Sequence, residues 1–124
     1  MTKTIACLLV TNDPDDFLEF SEALNEISDD AILVAVADTT RAIKLLQEKL
    51  QRPDFILINL SMYGGMPETF LKLLIDHDTL KRVPVVGYGA SENLDGVKSR
   101  ISQFLGEDFS YADLKKSLTA LLRL

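Results

Sequence analysis

Several residue types are scarce in this chain, and each scarcity excludes a class of protein. Cys7 is the single cysteine, so no disulfide can form within the chain, and a reducing cytoplasm is the simplest compartment to expect. Because Cys7 lies in an apolar run, we expect a small core residue and not a nucleophile. The single histidine, His77, stands in a polar stretch, and we expect it to face solvent.

Basic residues are outnumbered, and long apolar runs are missing. The chain has 13 Lys and Arg against 19 Asp and Glu, a formal net charge of -6. This balance disfavours binding to nucleic acid or to an anionic membrane, since both need a basic patch. No apolar run approaches the roughly 18–20 residues of a membrane span, and the run at residues 5–10 is too short for a signal peptide. We therefore expect a cytoplasmic protein without nucleic-acid or membrane partners.

Apolar residues are plentiful, at 47% of the 124 residues. That content is enough for a sizeable core, and the length suits one domain. No repeat, linker or low-complexity segment divides the sequence. The chain is therefore predicted to form a single domain over residues 1–124.

The stretch at residues 53–62 is the centre of the predicted fold. Its apolar run from Phe55 to Leu60 is interrupted only by Asn59 and is followed by glycines at 64 and 65. Such a run is typical of a strand buried on both faces. Asn59 then lies at the carboxyl end of the strand, the edge of a parallel sheet where ligands bind. Two interpretations of Asn59 stay open: a hydrogen bond to the neighbouring loop, or a direct role in binding.

Other apolar runs predict strands, and amphipathic stretches between them predict helices. Strands are expected at residues 3–10, 31–37, 83–88 and 101–105. Helices are expected at residues 14–27, 40–50, 67–76, 91–100 and from a cap at 110–113 to about 122. This alternation of five strands with five helices implies right-handed crossovers and a parallel sheet between two helical layers.

Capping residues mark the predicted helix starts. Asp13 is followed by Pro14, and Asp38 precedes the second helix. Ser110 and Asp113 match a weak capping box before the last helix. On the first helix, the predicted buried stripe is Phe17, Phe20, Leu24 and Ile27.

The order of the elements and three motifs resemble the receiver domain of bacterial two-component response regulators. The motifs lie at residues 12–16 (Asn-Asp-Pro-Asp-Asp), 53–62 and 82–86 (Arg-Val-Pro-Val-Val). The likeness covers essentially the whole chain and is closest to stand-alone receivers. It implies a flavodoxin-like (CheY-like) α/β/α sandwich with a five-stranded parallel sheet of order 2-1-3-4-5. The segment between residues 91 and 104 is short for the family, which implies a truncated fourth helix.

The family's phosphorylation chemistry needs residues that this sequence lacks. In the family, a strand-three aspartate accepts the phosphoryl group, an acidic pair helps to hold Mg²⁺, and a hydroxyl residue and a lysine contact the acyl phosphate. By the resemblance, the aspartate position is Asn59 and the acidic pair falls on Thr11 and Asn12. The hydroxyl position is Gly89 and the lysine position is Glu107. Because Mg²⁺ prefers carboxylate oxygens, we expect a pseudo-receiver without Mg²⁺ or another cofactor.

The main functional hypothesis is a signalling module that is not an enzyme. The chain would act in a two-component or phosphorelay pathway through protein–protein contact, without aspartate phosphorylation. In the family, the output surface combines helix four, strand five and helix five, and Phe104 occupies the aromatic switch position. The candidate contact residues are Phe104, Phe109, Tyr111 and Lys115.

Two alternative functions remain open. In the first, the chain binds and titrates a histidine kinase or a phosphotransfer protein through Phe17, Ser21 and Leu24 on the first helix. In the second, the flavodoxin-like fold binds a flavin or another anion at the loops after strands one, three and four. Those loops contain Thr11, Asn12, Ser61, Gly64, Gly65 and Gly89, with the aromatic residues Tyr63 and Tyr88.

Overall fold

The computed structural model describes residues 5–48, 53–62, 66–76, 80, 82–89, 94 and 96–122. Some predicted features fall on other residues and therefore lie outside the described parts. They include strand residues 3 and 4, the end of the second helix with Leu50, the loop residues Tyr63, Gly64 and Gly65, His77, and the start of the predicted fourth helix at Ser91.

Five parallel strands form one sheet. They are β1 (Ile5–Val10), β2 (Ala31–Val36), β3 (Phe55–Asn59), β4 (Val85–Tyr88) and β5 (Gln103–Leu105). Their order in the sheet is β2-β1-β3-β4-β5, which confirms the expected 2-1-3-4-5 arrangement. The carboxyl ends of β1, β3 and β4 consequently lie side by side at one edge.

Four α-helices occur in the described residues: α1 (Pro14–Ile27), α2 (Thr39–Glu48), α3 (Met66–Asp76) and α4 (Tyr111–Leu122). The predicted helix at residues 91–100 is wrong over its described part, which forms a turn and a short 3₁₀ helix at Lys98–Arg100. Gly96 has a φ of 88°, a left-handed conformation that an α-helix does not accommodate. None of the helices in the described ranges has the length and apolar character needed to cross a membrane.

The core lies on both faces of the sheet, because successive strand residues point to opposite sides. One face packs against α2 and α3 through the buried residues Leu8, Val10, Ile56, Ile58, Leu46 and Phe70. The other face packs against α1 and α4 through Cys7, Leu9, Phe55, Leu57, Phe20 and Leu118. The prediction that β3 is buried on both faces is therefore confirmed. Cys7 is fully buried, and this burial raises the pKa of its thiol well above the usual value, as expected for a core residue.

The predicted helix caps are present. Asp13 and Asp38 each accept a backbone N–H from their own helix, at 3.0 and 2.7 Å. Before α4, the Asp113 N–H donates to Ser110 Oγ at 3.0 Å, and the Ser110 N–H donates to Asp113 Oδ2 at 3.2 Å. This reciprocal pair is a complete capping box, and it fixes where α4 begins relative to β5.

The capping box gives a direct test of what holds α4 in place. We expect Ser110→Ala to lower the free energy of unfolding by about 1 kcal/mol, the usual cost of losing a helix N-cap. Urea denaturation followed by circular dichroism measures the change. Ser99→Ala, at an exposed position of the 3₁₀ helix, is the matched control and should stay within about 0.5 kcal/mol of the original protein. Equal losses in the two variants would contradict a specific capping role.

Candidate functional site

A concave site of about 370 Å³ lies at the carboxyl edge of the sheet. Of the positions identified by the resemblance, Asn59, Gly89 and Glu107 all contribute to it. Thr11 is buried beneath it, whereas Asn12 is exposed and does not line it. Among the described residues, the lining consists of Asp13, Asp16, Glu19, Asn59, Ser61, Tyr88, Gly89, Glu107 and Phe109.

The side-chain amide of Asn59 is hydrogen-bonded at both ends. Its Oδ1 accepts the Ser61 N–H at 2.8 Å, and its Nδ2 donates to Thr11 Oγ1 at 3.1 Å. The hydrogen bond to the neighbouring loop, one of the two interpretations of Asn59, is therefore present. The amide joins β3 to the end of β1 and stabilises the turn that follows β3.

The Thr11 hydroxyl connects Asn59 to helix α1. Besides accepting from Asn59, Thr11 Oγ1 accepts the Asp13 N–H at 3.1 Å and donates to Asp16 Oδ2 at 2.7 Å. Thr11 is only 5% exposed, and its three hydrogen bonds are partly buried. A buried hydroxyl with this many partners is fully satisfied.

Asp16 accepts a second hydroxyl on the same oxygen. Tyr88 at the end of β4 donates its O–H to Asp16 Oδ2 at 2.6 Å. The Tyr88 side chain is buried, and this burial, together with the bond to Asp16, raises the pKa of its hydroxyl. Sequence reasoning named Tyr88 only as an aromatic residue near a possible ligand and Asp16 only as part of the helix start, and it missed the bond between them. A tyrosine at the end of a buried strand was the available signal, because a buried tyrosine O–H usually has a hydrogen-bond partner.

The Tyr88 ring is held between two phenylalanines. It meets Phe20 of α1 at a centroid distance of 4.8 Å and Phe109, after β5, at 5.9 Å, both edge to face. Such aromatic pairs add about 0.5–1.5 kcal/mol each beyond area burial. The Tyr88 ring therefore joins the end of β4 to α1 and to the segment after β5. Through Asp16, Tyr88 is also connected to Thr11 at the end of β1.

Gly89 occupies a conformation that side-chain-bearing residues rarely adopt. Its φ is +89°, and a Cβ at this position would lie 2.6 Å from Ser61 Oγ and 3.4 Å from Asn59 Oδ1. A serine or threonine here would be strained by both the backbone and the contact with Ser61. The backbone conformation at Gly89 thus disfavours the hydroxyl residue of the family, and Ser61 Oγ would also have to move to admit it.

The site is strongly acidic. The described part of the lining contains four carboxylates, those of Asp13, Asp16, Glu19 and Glu107, and no Lys or Arg. Partial burial, with the neighbouring Asp16 charge as the second cause, raises the pKa of Glu19. Coulomb repulsion would oppose a phosphate group in this site.

The residues at this edge do not fit the Mg²⁺ ion that the resemblance associates with such a site. Mg²⁺ requires near-octahedral oxygen ligands, and the described residues contain no group of three or more His, Cys, Asp or Glu arranged to hold a metal. Asn59 Oδ1 and Asp16 Oδ2 already accept hydrogen bonds from the protein. Thr11 and Tyr88 direct hydrogens, not lone pairs, toward Asp16.

The candidate contact residues divide into two pairs. Phe104 and Phe109 border a groove of about 730 Å³ between β5 and α4. Phe104 is 46% exposed, with the Lys98 ammonium 5.9 Å from its ring centre, a cation–π contact.

Tyr111 and Lys115 lie on the side of α4 that faces α1. The Tyr111 hydroxyl donates a hydrogen bond to Glu26. This bond raises the pKa of Tyr111 to about 12. Lys115 Nζ lies 3.7 Å from Glu26 Oε2 and 5.0 Å from the centre of the Tyr111 ring. The four candidates therefore form two neighbouring patches and not one.

Removing the Tyr88 hydroxyl tests the role of the network. We expect Tyr88→Phe to lower the free energy of unfolding by about 1.5 kcal/mol, because a partly buried carboxylate loses one of its donors while the ring contacts remain. Urea denaturation at neutral pH measures this loss. Tyr111→Phe, whose hydroxyl bond is exposed, should cost much less. Similar losses in both variants would show that the Tyr88–Asp16 bond contributes no more stability than the exposed bond of Tyr111.

The raised pKa of Tyr88 predicts a loss of stability in alkali. Above the usual tyrosine pKa of about 10, the unfolded chain releases the Tyr88 proton while the folded chain keeps it, so stability falls as pH rises. Denaturation between about pH 9 and 11 should therefore show a shallower decline for Tyr88→Phe than for the original protein. A parallel decline in the two proteins would contradict the burial of this hydroxyl.

No protein-family model matches the sequence, and no curated protein matches it either. Solved structures do match over nearly the whole chain. Chemotaxis response regulator CheY4 of Vibrio cholerae is 18% identical, with a TM-score of 0.76 over 96% of this chain and 99% of that chain. A two-component response regulator from Legionella pneumophila is 18% identical, with a TM-score of 0.80 over 98% and 100%.

A third match is the phosphorylated cyanobacterial phytochrome response regulator RcpA. It is 23% identical, with a TM-score of 0.77 over 96% of this chain and 91% of that chain. At these identities the likeness concerns the fold alone. The chain has the CheY-like flavodoxin fold, in which it is structurally similar to the receiver domains of response regulators.

Proposed function

We propose that this protein is a receiver-like signalling module that acts through protein–protein contact and is not controlled by aspartate phosphorylation. The observation that carries this proposal is the bonding of Asn59, whose amide is held by Thr11 and Ser61 where a phosphorylatable receiver has its acceptor carboxylate. The receiver fold supports a place in two-component or phosphorelay signalling. A cytoplasmic location, a bacterial source and the absence of enzymatic activity belong to the same proposal.

The electrostatics of the site support the proposed loss of phosphorylation. Phosphoryl transfer depends on positive charge placed around the transferring group. Here the lysine position is the exposed carboxylate Glu107, and the hydroxyl position is Gly89. RcpA, by contrast, has been solved in a phosphorylated form, so the fold itself is compatible with the reaction. In our proposal this chain carries neither phosphate nor Mg²⁺.

The groove between β5 and α4 is the proposed contact surface for a signalling partner. Phe104 and Phe109 contribute apolar area there, and exposed aromatic residues of this kind are enriched at interfaces. Tyr111 and Lys115 extend the surface toward α1. Without a phosphate to shift its conformation, the surface is either held in one state or set by the partner that binds it.

Helix α1 supports the second candidate function, binding of a histidine kinase or a phosphotransfer protein. Phe17 and Leu18 are 38% and 66% exposed, which makes them available to a partner. Phe17 was expected in the buried stripe, but it lies in the first turn, beside the edge where β1 ends, so less of the sheet covers it. The proposed contact at Leu24 is wrong, since Leu24 is 2% exposed and packs in the core.

Binding of a flavin or another anion is the least favoured function. Where the structure describes its lining, the site that would receive it contains four carboxylates and no basic side chain. Tyr88 is packed between phenylalanines and is only 4% exposed, so its ring face cannot stack on a cofactor. Gly64, Gly65 and Tyr63 lie outside the described residues.

A phosphodonor experiment tests the proposal. We expect incubation with acetyl phosphate and Mg²⁺ to give no acid-labile gain of phosphate mass, measured by intact-protein mass spectrometry. The Asn59→Asp variant should also stay unmodified, because Thr11, Asn12, Gly89 and Glu107 still fail to hold the metal and the phosphate.

A phosphorylatable stand-alone receiver, treated in parallel, shows that the reaction conditions are adequate. Phosphate on the original protein would overturn the proposal. Phosphorylation of the Asn59→Asp variant but not of the original protein would show that the other four positions matter less than the aspartate itself.

A further inference from the structure

The outer edge of β2 is long, apolar and uncharged. The strand has the sequence Ala-Ile-Leu-Val-Ala-Val over Ala31–Val36. It ends the sheet, and β1 is its one pairing partner within the described residues. None of its six residues is fully buried, and Ile32 is 53% exposed.

The pairing register shows which backbone groups face outward. The Ile5 N–H donates to the Asp30 carbonyl at 2.9 Å, and the Thr11 N–H donates to the Val36 carbonyl at 3.0 Å. In a parallel pair, the backbone groups of every second residue point to the same neighbour. The even-numbered residues of β2 therefore bond to β1. The outward N–H and C=O groups belong to Ala31, Leu33 and Ala35.

Exposed edges of this kind are usually blocked in native proteins by lysine, proline or a bulge. β2 contains neither residue, and its pairing with β1 runs without interruption from Ile5↔Ala31 to Val10↔Val36. At about 3.3 Å per residue, the free edge is about 20 Å long. An edge with these properties can accept an added strand through main-chain hydrogen bonds.

The charged residues around β2 determine which kind of added strand can bind to its edge. Asp29 and Asp30, both exposed, precede it, and Asp38 follows it. No Lys or Arg occurs between residues 4 and 40. Asp38 has a cation nearby, since Arg41 Nε lies 3.6 Å from its Oδ2. Within the described residues, no Lys or Arg forms an ion pair with Asp29 or Asp30, so these two carboxylates make their end of the edge the more negative one.

A second copy of the chain fits this edge poorly. If two β2 strands paired antiparallel about a two-fold axis, Asp29 and Asp30 of each copy would approach Asp38 of the other. Like charges that face each other across paired strands are destabilising, and the net charge of -6 adds to the repulsion.

We propose that the β2 edge binds an extended apolar segment of a partner protein, with a basic residue beside Asp29 and Asp30. The added strand would bond to the outward N–H and C=O groups of Ala31, Leu33 and Ala35. This site is at the opposite end of the sheet from β5 and does not depend on the proposed function.

Amide hydrogen exchange tests the site residue by residue. The probe is the capped peptide Lys-Lys-Val-Thr-Val-Thr-Val-Lys-Lys, which is basic at both ends and so serves either strand direction. We expect it to slow exchange at Leu33 and Ala35, whose N–H groups point outward. Exchange at Ile32 and Val34, already bonded to β1, should be unchanged. The same peptide with Glu in place of Lys, and one with N-methylated valines, should bind at least about fivefold more weakly.

Two substitutions at Ala35, to Pro and to Ser, provide a matched pair of variants. Ala35→Pro removes one outward N–H and leaves the bonds to β1 intact, since proline is tolerated where the N–H of an edge strand faces solvent. It should weaken binding of the Lys peptide at least about fivefold, whereas Ala35→Ser should change it less than about twofold. Thermal unfolding of both variants checks the fold. Should Ala35→Pro not fold, the N-methylated peptide makes the same test on the original protein.

Several results would overturn the proposal. Unchanged exchange at Leu33 and Ala35 with the Lys peptide would show that the edge does not accept a strand. If the Glu peptide bound as tightly as the Lys peptide, Asp29 and Asp30 would not favour a basic residue in the added strand. Protection of Leu33 and Ala35 that grows with protein concentration, without any peptide, would show that a second copy occupies the edge.

Discussion

The carboxylate of Asp16 lies at the edge of a parallel sheet beside three other acidic side chains, and it needs hydrogen-bond donors close by. Two hydroxyl groups, from Thr11 and Tyr88, provide them on a single oxygen. The other bonds of the site follow from this arrangement. Because the Thr11 hydroxyl donates to Asp16, its oxygen can accept a hydrogen bond from Asn59. The bond from Tyr88 to Asp16 accompanies the packing of the Tyr88 ring against Phe20 and Phe109. A network of hydroxyl and amide groups thus surrounds the Asp16 carboxylate at this edge.

Much of the fold could be predicted because its signals are local. The apolar run of β3 and the caps at Asp13, Asp38 and Ser110 each depend on a few neighbouring residues, and the structure confirms them. The helix expected at residues 91–100 was wrong because apolar spacing did not reveal the left-handed backbone at Gly96. The exposure of Phe17 was missed because burial depends on where a helix turn lies relative to the end of the sheet.

The candidate site was predictable in position but not in its bonding. Strand order alone brings Asn59, Gly89 and Glu107 to one edge, since the carboxyl ends of parallel strands meet there. The bond between Tyr88 and Asp16 joins residues 72 positions apart, and no local pattern encodes it. The assignment of four contact residues to one surface also needed the tertiary structure, which places Tyr111 and Lys115 against α1 and Phe104 beside a separate groove.

The conformation of Gly89 has a consequence for which residues position 89 can accept. A side chain at position 89 would have to adopt a φ of +89°, which residues other than glycine rarely do, and Ser61 Oγ would have to move, because the Cβ would approach it to 2.6 Å. Position 89 therefore favours glycine through its backbone conformation, whatever reaction or binding the site supports.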